Sequence, residues 1–200
     1  ESIGNFRPHE LSVDGAYARK LSENFSIGVA LRFVYSNLAG NTALQNGTET
    51  KPGIAGAGDI SFFYSAEPIE VSERDLKINI GANISNIGSK ITYTDEADRD
   101  FIPMNLRLGA YFNYEIDKYN EVALTFDINK LLVPTPPFYN FDSSGNPIYD
   151  QDGNPVIYKG ENPDVPVIAG LVQSFYDAPG GFSEEIKEYT PSVGIEYWYA

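Results

Sequence analysis

Hydrophobic and polar positions alternate with a period of two along most of this chain, and the longest unbroken run spans 104–116. Its even positions are Met104, Leu106, Leu108, Ala110, Phe112, Tyr114 and Ile116; the odd ones are Asn105, Arg107, Gly109, Tyr111, Asn113 and Glu115. Successive side chains of a strand point to opposite faces, so this run predicts a strand with one apolar and one polar face. After the turn Asp117-Lys118-Tyr119-Asn120 the pattern resumes, with Val122, Leu124, Phe126 and Ile128 against Ala123, Thr125, Asp127 and Asn129. The two apolar faces coincide only if paired residue numbers sum to an even value, for instance Phe112 opposite Phe126. Tyr111 and Asp127 then share the polar face.

Five further alternating runs lie at 9–19, 25–36, 57–66, 76–86 and 190–199. Strands in water-soluble domains average ~5–6 residues, whereas a tilted strand crossing a bilayer needs about ten. The runs here have the longer length. Arg107, Glu115 and Asp127 sit at the same depth as lipid-grade residues, which a barrel with a wet lumen explains and a two-layer soluble sheet does not. The connections add a second signal: they run short (20–24), long (37–56), medium (67–75), long (88–102), short (117–120) and very long (132–189). Tight turns on one side and long loops on the other are the habit of an up-and-down barrel in an outer membrane, with the long loops extracellular.

The prediction is therefore an all-β, antiparallel up-and-down transmembrane barrel wall of about seven strands, one domain over residues 1–200. Seven strands cannot close in a bacterial single-chain barrel, and an open sheet would leave two bare edges in hydrocarbon. The sheet is thus expected to be about half of a larger barrel. The chain begins as an internal piece or a processed form would, without a recognisable signal peptide.

The very long loop changes register of pattern. It opens Pro134-Thr135-Pro136-Pro137, then carries two near-copies, Ser144-Gly145-Asn146-Pro147-Ile148 and Asp152-Gly153-Asn154-Pro155-Val156, each read as a tight turn feeding a short extended piece. At 167–176 the period becomes helical, with Val167, Ile168, Leu171, Val172 and Phe175 on one face; Phe182, Ile186 and Tyr189 suggest a second short helix. Phe138, Tyr139, Phe141, Phe175, Tyr176 and Phe182 make this loop far more aromatic than solvent requires. They either pack the loop onto itself or the barrel mouth, or form an exposed partner-binding patch.

Composition narrows the chemistry. Mean hydropathy is −0.28, and no apolar run approaches the ~18 residues of a membrane helix. A formal charge of −14 argues against nucleic acid as a partner. Half of that charge sits in the loop 132–189, with nine acidic and two basic residues. Cysteine is absent, which removes disulfides and thiolate catalysis. The single histidine, His9, would have to work with Ser2 or Ser12 and Asp14, but alternation puts His9 and Ser12 on opposite faces, so no catalytic residue is assigned. The stretch Asp150-Gln151-Asp152-Gly153-Asn154 lacks the downstream Glu of a calcium loop and reads as a turn; no metal or other cofactor is assigned. Tyr35, Tyr64, Tyr114, Tyr197, Trp198 and Tyr199, near strand ends, suit an interfacial aromatic girdle.

Several stretches resemble one family. Residues 129–137 (NKLLVPTPP), 177–182 (DAPGGF), 58–64 (GDISFFY), 86–93 (NIGSKITY) and 196–199 (EYWY) are similar to those of PorV (LptO), an outer-membrane family of the type IX secretion system with a barrel like that of the FadL fatty-acid channels. That resemblance implies a FadL-like barrel of fourteen strands, of which this chain carries half. It implies a role without chemistry: engaging a SprA-like translocon, collecting secreted substrates through their C-terminal signal domains, and delivering them to a PorU-like sortase. It also implies contact with membrane lipid and lipopolysaccharide. A FadL-like channel for hydrophobic molecules is the alternative; a lipopolysaccharide-modifying enzyme would need a nucleophile–base pair that the sequence does not offer.

Overall fold

The computed structural model describes residues 7–38, 40, 49–94 and 99–199; Ser2 and the loop tips 41–48 and 95–98 fall outside the described residues. Seven long strands form one antiparallel sheet: β1 (His9–Lys20), β2 (Phe25–Asn37), β3 (Gly53–Ser65), β5 (Arg74–Gly88), β6 (Asn105–Asp117), β7 (Asn120–Leu131) and β10 (Tyr189–Tyr199). They lie in chain order, each hydrogen-bonded to the next, with β1 and β10 at the two edges. A short β4 (Ile69–Val71) folds back onto β5. This is the architecture of an outer-membrane barrel wall, and no helix among the described residues is long and apolar enough to cross a membrane.

Each expected run became a strand because its alternation satisfies two faces at once. The apolar face carries Leu31 at 75% exposure and Ile195 at 74%, with Val13, Phe62 and Phe126 also open. In water, contiguous apolar surface of that extent is not tolerated, whereas lipid is its natural solvent. The opposite face is the more occluded one, with Ser36, Ala55, Ala57, Asn113 and Ala123 buried. Trp198 belongs to this polar face, opposite Glu121, and so leaves the expected aromatic girdle.

The register corrects one expectation. Phe112 pairs with Leu124, and Phe126 with Ala110, so the sums are even but shifted by one pair from Phe112 opposite Phe126. The turn explains this. A two-residue loop, Lys118-Tyr119, pairs Asp117 with Asn120, an odd sum that alone would set apolar against polar. A bulge between Glu115 and Asp117 adds Ile116 to β6 and restores the even register. Asp117 fixes the turn by accepting the Tyr119 amide at 2.8 Å and the Asn120 side-chain amide at 2.8 Å.

A second bulge interrupts β5 against β3 between Gly58 and Ile60. The extra residue is Asn86, at φ 59°, a left-handed conformation that asparagine tolerates better than most. Its amide donates to Asp59 at 2.7 Å, its side-chain oxygen accepts from Arg32, and Arg32 also pairs with Asp14 and, at 3.5 Å, Asp59. Beyond this bulge the connection to β6 folds over the polar face. Ile91 and Ile102 pack against Ala55 and Ala57, and the Tyr93 hydroxyl lies 2.9 Å from Ser36 Oγ. A Cβ on Gly53 would come within 2.8 Å of Ile91, so the glycine lets this loop approach.

The stretch 67–75 is not the plain loop the pattern suggested. It is a tight hairpin, β4 returning as β5 through Ser72 and Glu73 at positive φ. This makes the connection a short one and regularises the alternation of short and long ends.

Candidate functional site

The long loop between β7 and β10 folds into two lobes. In the first, β8 (Phe138–Tyr139) pairs with β9 (Ile157–Lys159). Between them lies an eight-residue repeat in which the Asn140 amide donates to Val156 O at 2.8 Å, Ile148 to Asn140 O at 2.9 Å, and Val156 to Ile148 O at 2.8 Å. Three backbone groups thus close a ring. Each near-copy is tied by an aspartate: Asp142 Oδ1 accepts the Ser144 and Asn146 amides at 2.8 and 2.9 Å, and Asp150 Oδ1 the Asp152 and Asn154 amides at 2.9 and 2.8 Å. Those bonds hold both carboxyls below their ordinary range, the Asn146 amide contributing most at Asp142 and the Asn154 amide at Asp150. Gly145 and Gly153 take φ of 84° and 86°, where a side chain would be strained. The aspartate at 150 is therefore a turn residue, as the sequence predicts.

The second lobe comprises α1 (Val167–Gln173), α2 (Phe182–Glu185) and a 3-10 turn (Ile186–Glu188), with Tyr189 already in β10. It is fastened by Lys130 at the upper end of β7. Lys130 lies on the apolar face in line with Phe126 and Ile128, its side chain fully buried, bonded to Glu185 at 2.6 Å and Glu188 at 2.7 Å. Its ammonium also lies 4.8 Å from the centre of the Tyr189 ring. Thr135 Oγ1 donates to Glu188 at 2.8 Å, and the Thr135 amide to Asp177 Oδ2 at 3.0 Å. Asp177 is buried, its Oδ1 is unpartnered, and burial pushes its carboxyl above the usual range despite the Thr135 amide. Gly170 seats α1 on the rest: a Cβ there would lie 2.7 Å from the Phe101 ring and 3.1 Å from Pro134.

Of the six aromatic residues expected to matter, Phe138 and Phe141 are exposed on the hairpin lobe, and Phe175, Tyr176 and Phe182 on the helical lobe; Tyr139 is half-buried. The rings are divided between the two lobes. Sequence reasoning missed Tyr149 and Tyr158, which are also exposed on the hairpin lobe. The eight-residue spacing of Asp142/Asp150 and Gly145/Gly153 was the signal, since Phe141 and Tyr149 precede the two aspartates equivalently. It also missed Lys130, whose mark is a cation standing where alternation calls for an apolar residue.

Elsewhere the titratable groups are structural. His9 opens β1 with Nδ1 3.2 Å from the Arg7 carbonyl and its ring 5.9 Å from that of Tyr35. Ser12, on the other face, donates to Asp14 at 3.2 Å. Arg107 Nε is held by Asn129 at 2.8 Å, and Asn113 donates to Glu121 at 3.1 Å, ladder pairs of the polar face.

The sequence profile of the family described as "Type IX secretion system protein PorV" matches residues 3–138. That stretch takes in β1 to β7 and stops where the hairpin lobe begins. No curated protein matches the chain.

Proposed function

We propose, from the premise that this chain belongs to the PorV family of type IX secretion system proteins, that its sheet is part of an outer-membrane barrel whose long loop docks protein partners at the cell surface. The partners that fit are a SprA-like translocon, secreted substrates carrying C-terminal signal domains, and a PorU-like sortase. The loops 37–56, 88–102 and 132–189 face outward in this reading, and further strands complete the barrel along β1 and β10 as half of a fourteen-stranded wall.

One observation carries the reading. The hairpin lobe presents Phe138, Phe141, Tyr149 and Tyr158 to solvent from a backbone ring that needs no partner to hold its shape. Rigid exposed aromatics lose little entropy on binding and are the residues that dominate interface energies. The acidic surround adds attraction toward a basic partner surface, felt in the association rate and weakened by salt. A conduit for hydrophobic molecules is less well supported, because the polar face carries Arg32, Asp59, Arg107 and Asp127 across its width.

The test replaces Phe138 and Phe141 with alanine in the full-length protein and measures co-purification of translocon and secreted substrates. Truncating a good anchor costs ~2 kcal/mol or more, so capture is expected to fall roughly thirtyfold per anchor while the barrel stays folded and inserted. Undiminished capture by the double variant contradicts the proposal.

A further inference from the structure

The helical lobe is built inside out. Its helices bury Gln173 and Glu185, with Ser174 and Asp177 also buried; Glu185 pairs with the Lys130 ammonium and Gln173 with Asp177. What they turn outward is mainly apolar: Ile168 at 63%, Val172, Tyr176 at 65%, Phe182 at 79% and Ile186, with Ser183 and Lys187 as the exposed polar members. A lobe solvated by water does the reverse. The inversion places the charges as though the outer surroundings could not solvate them.

The position of the lobe says what those surroundings are. Lys130 and Tyr189 are cross-strand partners on the apolar face, continuous below with Ile128, Phe126, Val193 and Ile195. Glu185, Glu188 and Phe175 reach Lys130, so the lobe covers the top of the outer side of the wall, while α1 also meets Phe101 of the 88–102 connection. From Tyr199 up to Tyr189, both on the apolar face, β10 rises by ten residue steps. At ~3.3 Å per residue and a tilt of about 40°, that is roughly 25 Å, the height of the apolar band of an outer-membrane barrel, so Tyr189 and Lys130 stand at its upper rim. The chain passes from α2 through the 3-10 turn straight into Tyr189, so the lobe carries its exposed apolar side chains to that rim.

We infer that α1 and α2 form a lipid-binding shelf that buries Ile168, Val172, Tyr176, Phe182 and Ile186 among the acyl chains just beneath the headgroups of the outer leaflet. Lys187, exposed beside Ile186, supplies a cation for the headgroup phosphates. The shelf fixes the height of the loop on the membrane, and so the direction in which the hairpin lobe is presented. The inference rests on the reading of the sheet as a barrel wall, and the test separates the two.

The full-length protein, with Trp198→Phe and any tryptophan outside residues 1–200 likewise replaced by phenylalanine, is placed in nanodiscs of lipid brominated near the top of the acyl chains. Into it go Phe182→Trp, Tyr176→Trp, the wall control Val193→Trp and the hairpin control Tyr149→Trp. Interfacial side chains bury ~5–10 Å deep, so Phe182→Trp and Tyr176→Trp are expected to lose roughly half their fluorescence to the bromolipid, like Val193→Trp, and Tyr149→Trp none. Quenching of both lobe tryptophans by aqueous iodide instead of bromolipid, with Val193→Trp still quenched by lipid, overturns the shelf alone and marks the ridge as a protein-docking face. Loss of bromolipid quenching at Val193→Trp as well overturns shelf and wall together.

Discussion

At the scale of single residues, the loop carries carboxylates pushed in opposite directions. Asp177 is buried with one oxygen unpartnered, and burial raises its carboxyl. The folded lobe therefore holds that proton more readily than the unfolded chain does. Its contribution is fully present below the ordinary carboxylate value and is lost as pH rises through the raised one. Asp142 and Asp150 are lowered by the amides they accept, so theirs is present above the ordinary value and lost as pH falls through the lowered one. Acidification below about 4 should loosen the hairpin lobe, whereas the Asp177 contribution to the helical lobe is retained there. Hydrogen exchange resolved to each lobe measures this, and Asp177→Asn should flatten the response of the helical lobe alone. The same pH response in both lobes would contradict the assignment.

At the scale of elements, the strands were legible and their joints were not. Period-two alternation placed all seven long strands because each has two faces with different solvents, and that demand is written at every position. A bulge is written at only one. Ile116 and Asn86 look like ordinary members of their runs, yet each shifts the pairing by a residue. β4 was hidden because three residues among Glu67, Glu70 and Glu73 give no pattern to read. The helical face of α1 was likewise visible as a period, but a period does not say whether the apolar side meets protein, water or lipid. The fastening of that lobe rests on Lys130, whose removal leaves Glu185 and Glu188 facing each other without a cation. Breaking a buried pair from one side costs ~3–5 kcal/mol, so Lys130→Met should open the loop to protease while the sheet stays intact. Adding Glu185→Gln and Glu188→Gln should restore much of the protection. Unchanged protease resistance in Lys130→Met would show that the apolar contacts around Phe101 and Pro134 hold the lobe unaided.

At the scale of the whole molecule, three directions are assigned: lipid on one face of the sheet, a polar interior on the other, and a two-lobed loop at one end. The aromatic loop residues were legible as a group, but their division between a hairpin lobe and a helical lobe depends on contacts 55 residues apart in sequence, such as that between Lys130 and Glu185. No local pattern carries such a contact. The account stands or falls on the first assignment, because the loop's place at the cell surface and the shelf above the wall both follow from it. Leu124 and Thr125 are neighbours in the middle of β7, pairing with Phe112 and Tyr111 on opposite faces. The most direct measurement is the folding free energy of Leu124→Arg and Thr125→Arg in a bilayer. A charge on the lipid face near the midplane should cost ~2–4 kcal/mol and one on the polar face far less. Equal costs at the two positions would contradict a membrane-spanning wall.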